Sequence, residues 1–388
     1  MPPPQQQEPF SKDLRQVLER AYPGEGERIL EALRKPPTRY YVRANTIKSS
    51  SDLVVEALRG HGLDAKRHAI VGEAVSVPVE EGPQLAPRVK RIIAKKEAAE
   101  AVMIGSNLYA PGVRRCQGIR RGDFVSVVDE LGQIAGEGLA IQGEQEILAK
   151  RRGLSIDVVN SRYRTAKFLE MPEFLEGAFY PQGLPAMLAC RILDPRPGET
   201  VLDICASPGG KTGAIAQMMG NTGNIIAIDR NSKKVERLER NLRRLGVTNA
   251  ACITHDARYL ARDGIVRDAD RAIVDPPCTA IGLRPKLYHQ LREKDVSDLS
   301  SLQLQILSEA IKCVKAGGRV VYTTCTISRE EDEGVVLSAL SALPEIEVEE
   351  VVIPIGDLEA LGGGKVVRFN PVRQEDCPGY FIASLASK

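Results

Sequence analysis

Apolar residues fall at helical spacing in Asp13–Ala21 and Glu25–Leu33, through Leu14, Val17, Leu18, Ile29, Leu30 and Leu33. Two short helices are predicted there. Arg39–Asn45 reads as a strand, because Tyr40, Tyr41 and Val42 are β-formers. Ser50 or Ser51 caps a helix through Leu53, Val54, Ala57 and Leu58, closed by Gly60. This stretch is expected to be a small α/β unit. From Ser106 to about Gly143 short β-like runs alternate with Gly-containing turns, the pattern of a compact barrel.

The pattern changes again near Pro195. Strands are predicted at Thr200–Ile204, Asn224–Asp229, Ala250–Thr254, Arg271–Asp275 and Arg319–Thr324. Helical stretches fall at Ala214–Met219, Ser232–Leu245, Leu302–Val314 and Glu331–Leu343. Strand and helix in alternation imply an α/β fold with a doubly wound, Rossmann-like parallel sheet. Such a sheet binds ligands at the carboxyl ends of its strands.

The chain has 388 residues, enough for two or three domains. It is 43% hydrophobic and 27% charged, which excludes disorder of the whole chain. No run approaches the roughly 18–20 apolar residues of a membrane helix. The Pro/Gln-rich start lacks the apolar segment of a signal peptide and is expected to be mobile. A soluble, cytoplasmic protein is the expectation. Eight cysteines (Cys116, Cys190, Cys205, Cys252, Cys278, Cys313, Cys325 and Cys377) are scattered without a Cys-x-x-Cys pair. Neither a disulfide framework nor a structural metal is expected.

A formal net charge of +2 looks unlike a nucleic-acid binder. Region by region it looks different. Pro87–Thr165 holds 14 basic and nine acidic residues, whereas Glu330–Gly364 holds ten acidic and no basic ones. The second stretch masks the first.

The most informative segment is Asp203-Ile-Cys-Ala-Ser-Pro-Gly-Gly-Lys-Thr212, directly after a predicted strand. A Gly-rich turn entering a helix brings backbone N–H groups close to a ligand. Gly-Lys-Thr ends a P-loop, but a P-loop needs Gly where this chain has Cys205, so that reading is rejected. Asp229 and Asp256 end the next two strands, where a carboxylate can accept hydrogen bonds from ribose hydroxyls. Asp275-Pro-Pro-Cys278 ends another, with a rigid extended backbone suited to lie along a planar base. Thr324-Cys325-Thr326 ends the last. One strand cysteine is ordinarily a core thiol, but two at the carboxyl ends of two strands in one predicted sheet are less easily dismissed.

Together, in this order, these motifs resemble the Sun-domain (Fmu-type) RNA 5-methylcytosine methyltransferases over about Phe179–Lys388. Tyr40-Tyr-Val-Arg-Ala-Asn-Thr is similar to that family's N-terminal RNA-recognition-like domain. Tyr109-Ala-Pro-Gly-Val and Gly122-Asp-Phe-Val-Ser-Val-Val resemble a PUA domain. The resemblance implies residues 1–86 as the N-terminal region, completed by about 166–178, then a PUA insert at 87–165 and a methyltransferase domain at 179–388. A PUA in this place resembles the branch that includes the sixth human Sun-domain member, which methylates the acceptor-stem cytosine at position 72 of certain tRNAs.

The resemblance further implies S-adenosylmethionine as cofactor. Its contacts would be Cys205, Ala206, Ser207, Pro208, Gly209, Gly210, Lys211, Asp229, Asp256 and Asp275. Cys325 would be the nucleophile, adding to carbon 6 of cytosine so that carbon 5 can take a methyl group. Cys278 would assist release. DNA cytosine-5 methyltransferases use the opposite assignment, with the nucleophile at the position of Cys278. Asp275 would hydrogen-bond the base, and Lys211 would steady Asp275 or lower a thiol pKa. Aromatic residues are 4% of the chain and Trp is absent, so RNA binding should rest on phosphate contacts and shape. Arg114, Arg115, Arg120 and Arg121 on the PUA are the candidates, whereas the charges of Lys233–Arg244 read as a solvated helix face. The expected partner is tRNA, with no membrane partner and a monomeric enzyme. The competing readings are rRNA methylation and a non-catalytic PUA-type RNA-binding factor.

Overall fold

The computed structural model describes residues 8–388; the mobile start expected from the Pro/Gln-rich sequence lies outside them as far as residue 7. A nine-stranded sheet organises the C-terminal half. Its elements are β1 (Thr200–Ile204), α1 (Gly210–Met218), β2 (Asn224–Asp229), α2 (Ser232–Leu245), β3 (Ala250–Thr254), β4 (Ala269–Val274), α3 (Glu293–Lys312), β5 (Val314–Thr324), α4 (Glu333–Ala342), β6 (Ile346–Val348), β7 (Asp357–Leu361), β8 (Gly364–Phe369) and β9 (Tyr380–Ser387). Spatial order is β3-β2-β1-β4-β5-β9-β8-β7, with β6 against β9. β1 to β5 run parallel, and β9 joins β5 antiparallel. The order reverses between β1 and β4, which places a ligand crevice at the carboxyl ends of those strands.

Alternation along each strand sends side chains to two cores. Leu202, Val274 and Tyr322 face α3 and α4, through Ile306, Leu307, Ala310, Val335 and Val336. Val201, Ile273 and Val321 face α1 and the helix Leu184–Leu193, through Ile215, Met187 and Leu188. Central strands buried on both faces read as continuous apolar runs, as Val201–Leu202 and Ala272–Val274 do.

Three elements differ in length from the reading of the sequence. α1 starts at Gly210 rather than Ala214, because the motif glycines, which look like turn, already carry helical hydrogen bonding. α3 starts at Glu293 rather than Leu302; Arg292 and Asp295 bond reciprocally at its start, and its polar first turns give no apolar period. β5 starts at Val314 and runs through Gly317-Gly318, which resembles a break.

Before this domain stands a four-stranded antiparallel sheet. Its order is Phe179–Pro181, Arg39–Ala44, Ala74–Pro78 and Lys66–Arg67. The strand that closes it comes after the inserted domain in sequence. The insert has a six-stranded sheet, Leu108–Tyr109 to Val113–Cys116, around its own core of Ile92, Val102, Val125 and Val127. The helices Lys12–Ala21 and Gly26–Leu33 pack on Ile281, Leu291, Val296 and Ile327, beside the carboxyl ends of β4 and β5. Among the described residues no helix is long and apolar enough to cross a membrane.

Candidate active site

The Asp203–Thr212 turn folds as it does because its glycines admit neighbours. Gly209 has φ +104°, and a β-carbon on it would stand 2.8 Å from Leu238 of α2. One on Gly210 would stand 2.9 Å from the Tyr180 ring. Glycine is the residue that permits both approaches. Asp203 lies beneath the turn, fully buried, and accepts a hydrogen bond from Thr212 at 2.5 Å. Burial lifts its carboxyl to about 6.

The turn aims Lys211 across the sheet. Its Nζ lies 2.5 Å from Asp275 Oδ2 at the end of β4. Burial works against the ammonium, but Asp275 outweighs it and, with Tyr380, holds the pKa well above the usual lysine value. Lys211 therefore keeps its charge, and its partner Asp275 stands one-third exposed beside the crevice.

A cavity of about 260 Å³ opens at these strand ends. Cys205 and Ser207 of the turn, Asp229 at the end of β2, Asp256 after β3, and Asp275 to Cys278 after β4 line it. Ile228, Ala257, Leu302 and Ile306 supply apolar wall. Asp229 is 5% exposed, with the Asn231 amide donating to it. Asp256 is clasped by Arg258 at 2.6 Å, which holds its carboxyl below the usual aspartate value. Burial pushes the Cys205 thiol up to about 12.

Cys278 and Cys325 meet on the same cavity wall, sulfur to sulfur at 3.4 Å. Each follows a sheet strand, and their next residues tie the two turns together: Thr279 and Thr326 share a hydroxyl hydrogen bond of 2.8 Å. Glu331, fully buried, accepts from the Thr279 amide at 2.9 Å, from the Thr279 and Thr326 hydroxyls, and from Gln303 of α3 at 2.9 Å. Gln303 also donates to the Pro277 carbonyl. Three of these donors to Glu331 act at once, since one hydroxyl proton serves the Thr279–Thr326 bond, and burial still holds the Glu331 carboxyl above its usual value. The Cys278 thiol is raised well above its ordinary value by its hydrogen bond with Cys325 and by burial. It is suited to carry a proton rather than a charge.

The structure thus gathers Cys205, Ser207, Asp229, Asp256, Asp275, Cys278 and Cys325 around one space, with Lys211 bonded to Asp275. Ala206, Pro208, Gly209 and Gly210 shape the turn but do not line the cavity. Arg114, Arg115, Arg120 and Arg121 lie apart from it, exposed on the inserted domain. Arg114 pairs with Glu130 at 3.0 Å, and Arg121 donates to the Ile141 carbonyl at 2.8 Å. Sequence reasoning missed Ile228, Arg230, Ala257, Ala280, Leu302 and Ile306 on the wall, and the Glu331–Gln303 brace; it also assigned Lys234 to a solvated helix face, whereas Lys234 lines the cavity 4.0 Å from Asp229. Leu302 and Ile306 sit one turn apart on α3, a spacing indistinguishable from core. Glu331 stood in a stretch counted only for its acidic charge, yet Glu331, Asp332 and Glu333 are all buried.

A nucleoside-sized cavity, a ribose-type acceptor and two thiols beside a half-buried Lys–Asp pair fit transfer of a group to a base. Comparison with known proteins agrees. The family described as 16S rRNA methyltransferase RsmB/F matches residues 190–386, and the PUA domain family matches 90–161. A tRNA (cytosine(72)-C(5))-methyltransferase of Pyrococcus horikoshii is 38% identical, over 97% of either chain. The human tRNA (cytosine(72)-C(5))-methyltransferase NSUN6 is 28% identical, over 89% of this chain and 82% of its own. The crystal structure of NSun6 from Pyrococcus horikoshii with SFG superposes with a TM-score of 0.88 at 36% identity, covering 98% of this chain and 99% of that one. The chain belongs to the RsmB/F methyltransferase family and carries a PUA domain.

Proposed function

We propose that the chain is an S-adenosylmethionine-dependent tRNA cytosine-5 methyltransferase of the cytoplasm, acting on acceptor-stem cytosine 72. The observation that carries the reading is the Cys278–Cys325 pair, 3.4 Å apart on a cavity wall shared with Asp275. The near full-length similarity to enzymes named for that tRNA position supports the choice of substrate.

Carbon 5 of cytosine is a poor nucleophile. Cys325, as thiolate, adds to carbon 6 and makes the ring an enamine, so that carbon 5 becomes nucleophilic. Asp275, held by Lys211, accepts from the exocyclic amine of the base and, once the adduct takes a proton at nitrogen 3, from that N–H as well, which favours the protonated adduct. Cys278, kept as a thiol, serves the closing steps, in which the carbon 5 proton is lost and the Cys325 sulfur leaves carbon 6. The residues present fit the cofactor: Asp229 offers a nearly buried acceptor to ribose, and Ile228, Ala257, Leu302 and Ile306 offer an apolar slot to a purine. When bound there, S-adenosylmethionine would supply the activated methyl group. Lys211 and the Cys205–Gly210 turn would orient it against the base.

The target cytosine must leave its stem stack to reach the thiols. The exposed Arg114, Arg115, Arg120 and Arg121 would hold tRNA phosphates meanwhile. Incubation with labelled S-adenosylmethionine and total RNA, followed by site mapping, tests the reading. Label at cytosine 72 of a tRNA subset is expected. Label confined to ribosomal RNA, or no label, would refute it.

A further inference from the structure

The segment from the Cys278 turn to α3 is gripped by the rest of the chain. Arg284 donates to the carbonyls of Lys35, Pro36, Pro371 and Glu375. The Lys286 amide donates to the Leu33 carbonyl at 2.7 Å, and the Gly282 amide donates to the carbonyl of Cys325 itself at 3.0 Å. At the far end the PUA domain takes hold. Leu287 is 3% exposed and sits in the PUA core. Its amide donates to Glu100 at 3.0 Å, and its carbonyl accepts from Gln133 at 2.9 Å. The Tyr288 hydroxyl donates to Glu130 at 2.9 Å.

Lys286 stands between these two grips. It is 4% exposed, and its Nζ donates to the Ala280 carbonyl at 2.7 Å. Ala280 lines the cavity two residues past Cys278 and adopts φ +52°, a region that a β-carbon disfavours. The turn that carries Cys278 is therefore under strain and held from outside. Burial brings the Lys286 ammonium down to about 8. A desolvated charge costs stability, so its retention beside the thiols calls for a role.

Building on the cytosine methyltransferase reading above, we propose that Lys286 is a positioning residue for Cys278. Cys278–Leu291 is then the strut by which the seat of the PUA domain sets the place of the catalytic turn. The PUA does more than hold RNA: it braces the thiol that ends the reaction.

The test compares wild type with Lys286→Met, Lys286→Arg and Leu287→Ala, all assayed on tRNA below their melting temperatures. In Lys286→Met and Leu287→Ala, kcat is expected to fall on the order of tenfold or more, since small misplacements near the reacting atoms are costly. KM for tRNA should fall with it and kcat/KM should stay within about twofold, because the slowed step follows formation of the covalent adduct. RNA should remain covalently attached on denaturing gels, because Cys278 is out of place for release. Lys286→Arg, which keeps a charged donor, should restore part of kcat. A merely structural lysine predicts otherwise: Met removes a buried charge, so melting holds or rises and kcat stays with it. Values of kcat within about twofold of wild type in both variants overturn the proposal, as does a loss confined to KM. If the wild-type protein methylates no RNA, the methyltransferase reading fails instead.

Discussion

Charge is used in opposite ways at the carboxyl end of the parallel sheet and on the PUA domain. At the sheet, basic and acidic side chains are buried and hydrogen-bonded to one another, and burial holds the Asp332 carboxyl well above the usual aspartate value. Arg368, 1% exposed, donates to Glu333 at 2.5 and 2.8 Å, to Asp332 at 3.2 Å and to the Tyr22 hydroxyl at 2.5 Å. Asp332 in turn accepts from Thr324, the residue before Cys325, at 2.6 Å. On the PUA, Arg114, Arg115, Arg120 and Arg121 are exposed. The first set ties down a thiol-bearing turn; the second faces solvent. Deleting one member should be severe in the first region and mild in the second.

The largest expected effect follows from that contrast. Arg368→Met strands Asp332 and Glu333 in the core and should cost about 3–5 kcal/mol of stability, measured by urea unfolding. A loss below about 1 kcal/mol, the range of surface pairs, would erase the distinction between the two regions.

This buried network was hidden from the sequence, whereas the Gly-rich turn at the cavity was not. Cys205–Thr212 is legible because a Pro-Gly-Gly turn entering a helix has few alternative uses, and Cys278 and Cys325 each follow a strand inside a recognisable motif. Glu331, Asp332 and Glu333 read as three more charges in an acidic stretch. Only their long-range partners, Thr279, Gln303 and Arg368, distinguish them from solvated residues. Leu287 is similar: a leucine in an irregular segment enters the core of another domain. Local pattern reports a residue's face on its own element, and does not report which distant element will cover it. The parallel sheet was legible for the converse reason, since its central strands are apolar on both faces and all but one of the connections between its strands carry a helix.

Lys286 sharpens the comparison, for it is buried like the sheet network but bonded to a carbonyl rather than a carboxylate. Its pKa falls from 10.5 unfolded to about 8 folded. Below about pH 8 both states carry the proton, and the folded state bears the whole desolvation cost. Between pH 8 and 10.5 the unfolded chain binds more protons, so stability rises with pH. Lys286→Met should therefore be the more stable protein near pH 7, and its advantage should shrink, by up to roughly 3 kcal/mol, as pH rises through that window. Parallel stability curves for the two proteins would mean that Lys286 is solvated when folded.

The smallest effects belong to the PUA arginines. Arg120→Ala and Arg121→Ala should each leave stability within about 0.5 kcal/mol. Each should lower the salt dependence of tRNA binding by a slope of about 1. A large stability loss would make them structural, and an unchanged salt slope would move the RNA interface elsewhere.

The central claim is that Cys325 attacks the base and Cys278 lets it go. It is tested most directly by incubating Cys278→Ala and Cys325→Ala proteins with tRNA and S-adenosylmethionine and separating the products on a denaturing gel. The account predicts a shifted protein–RNA band for Cys278→Ala, and neither band nor methylation for Cys325→Ala. A covalent band formed by Cys325→Ala would contradict it and make Cys278 the nucleophile.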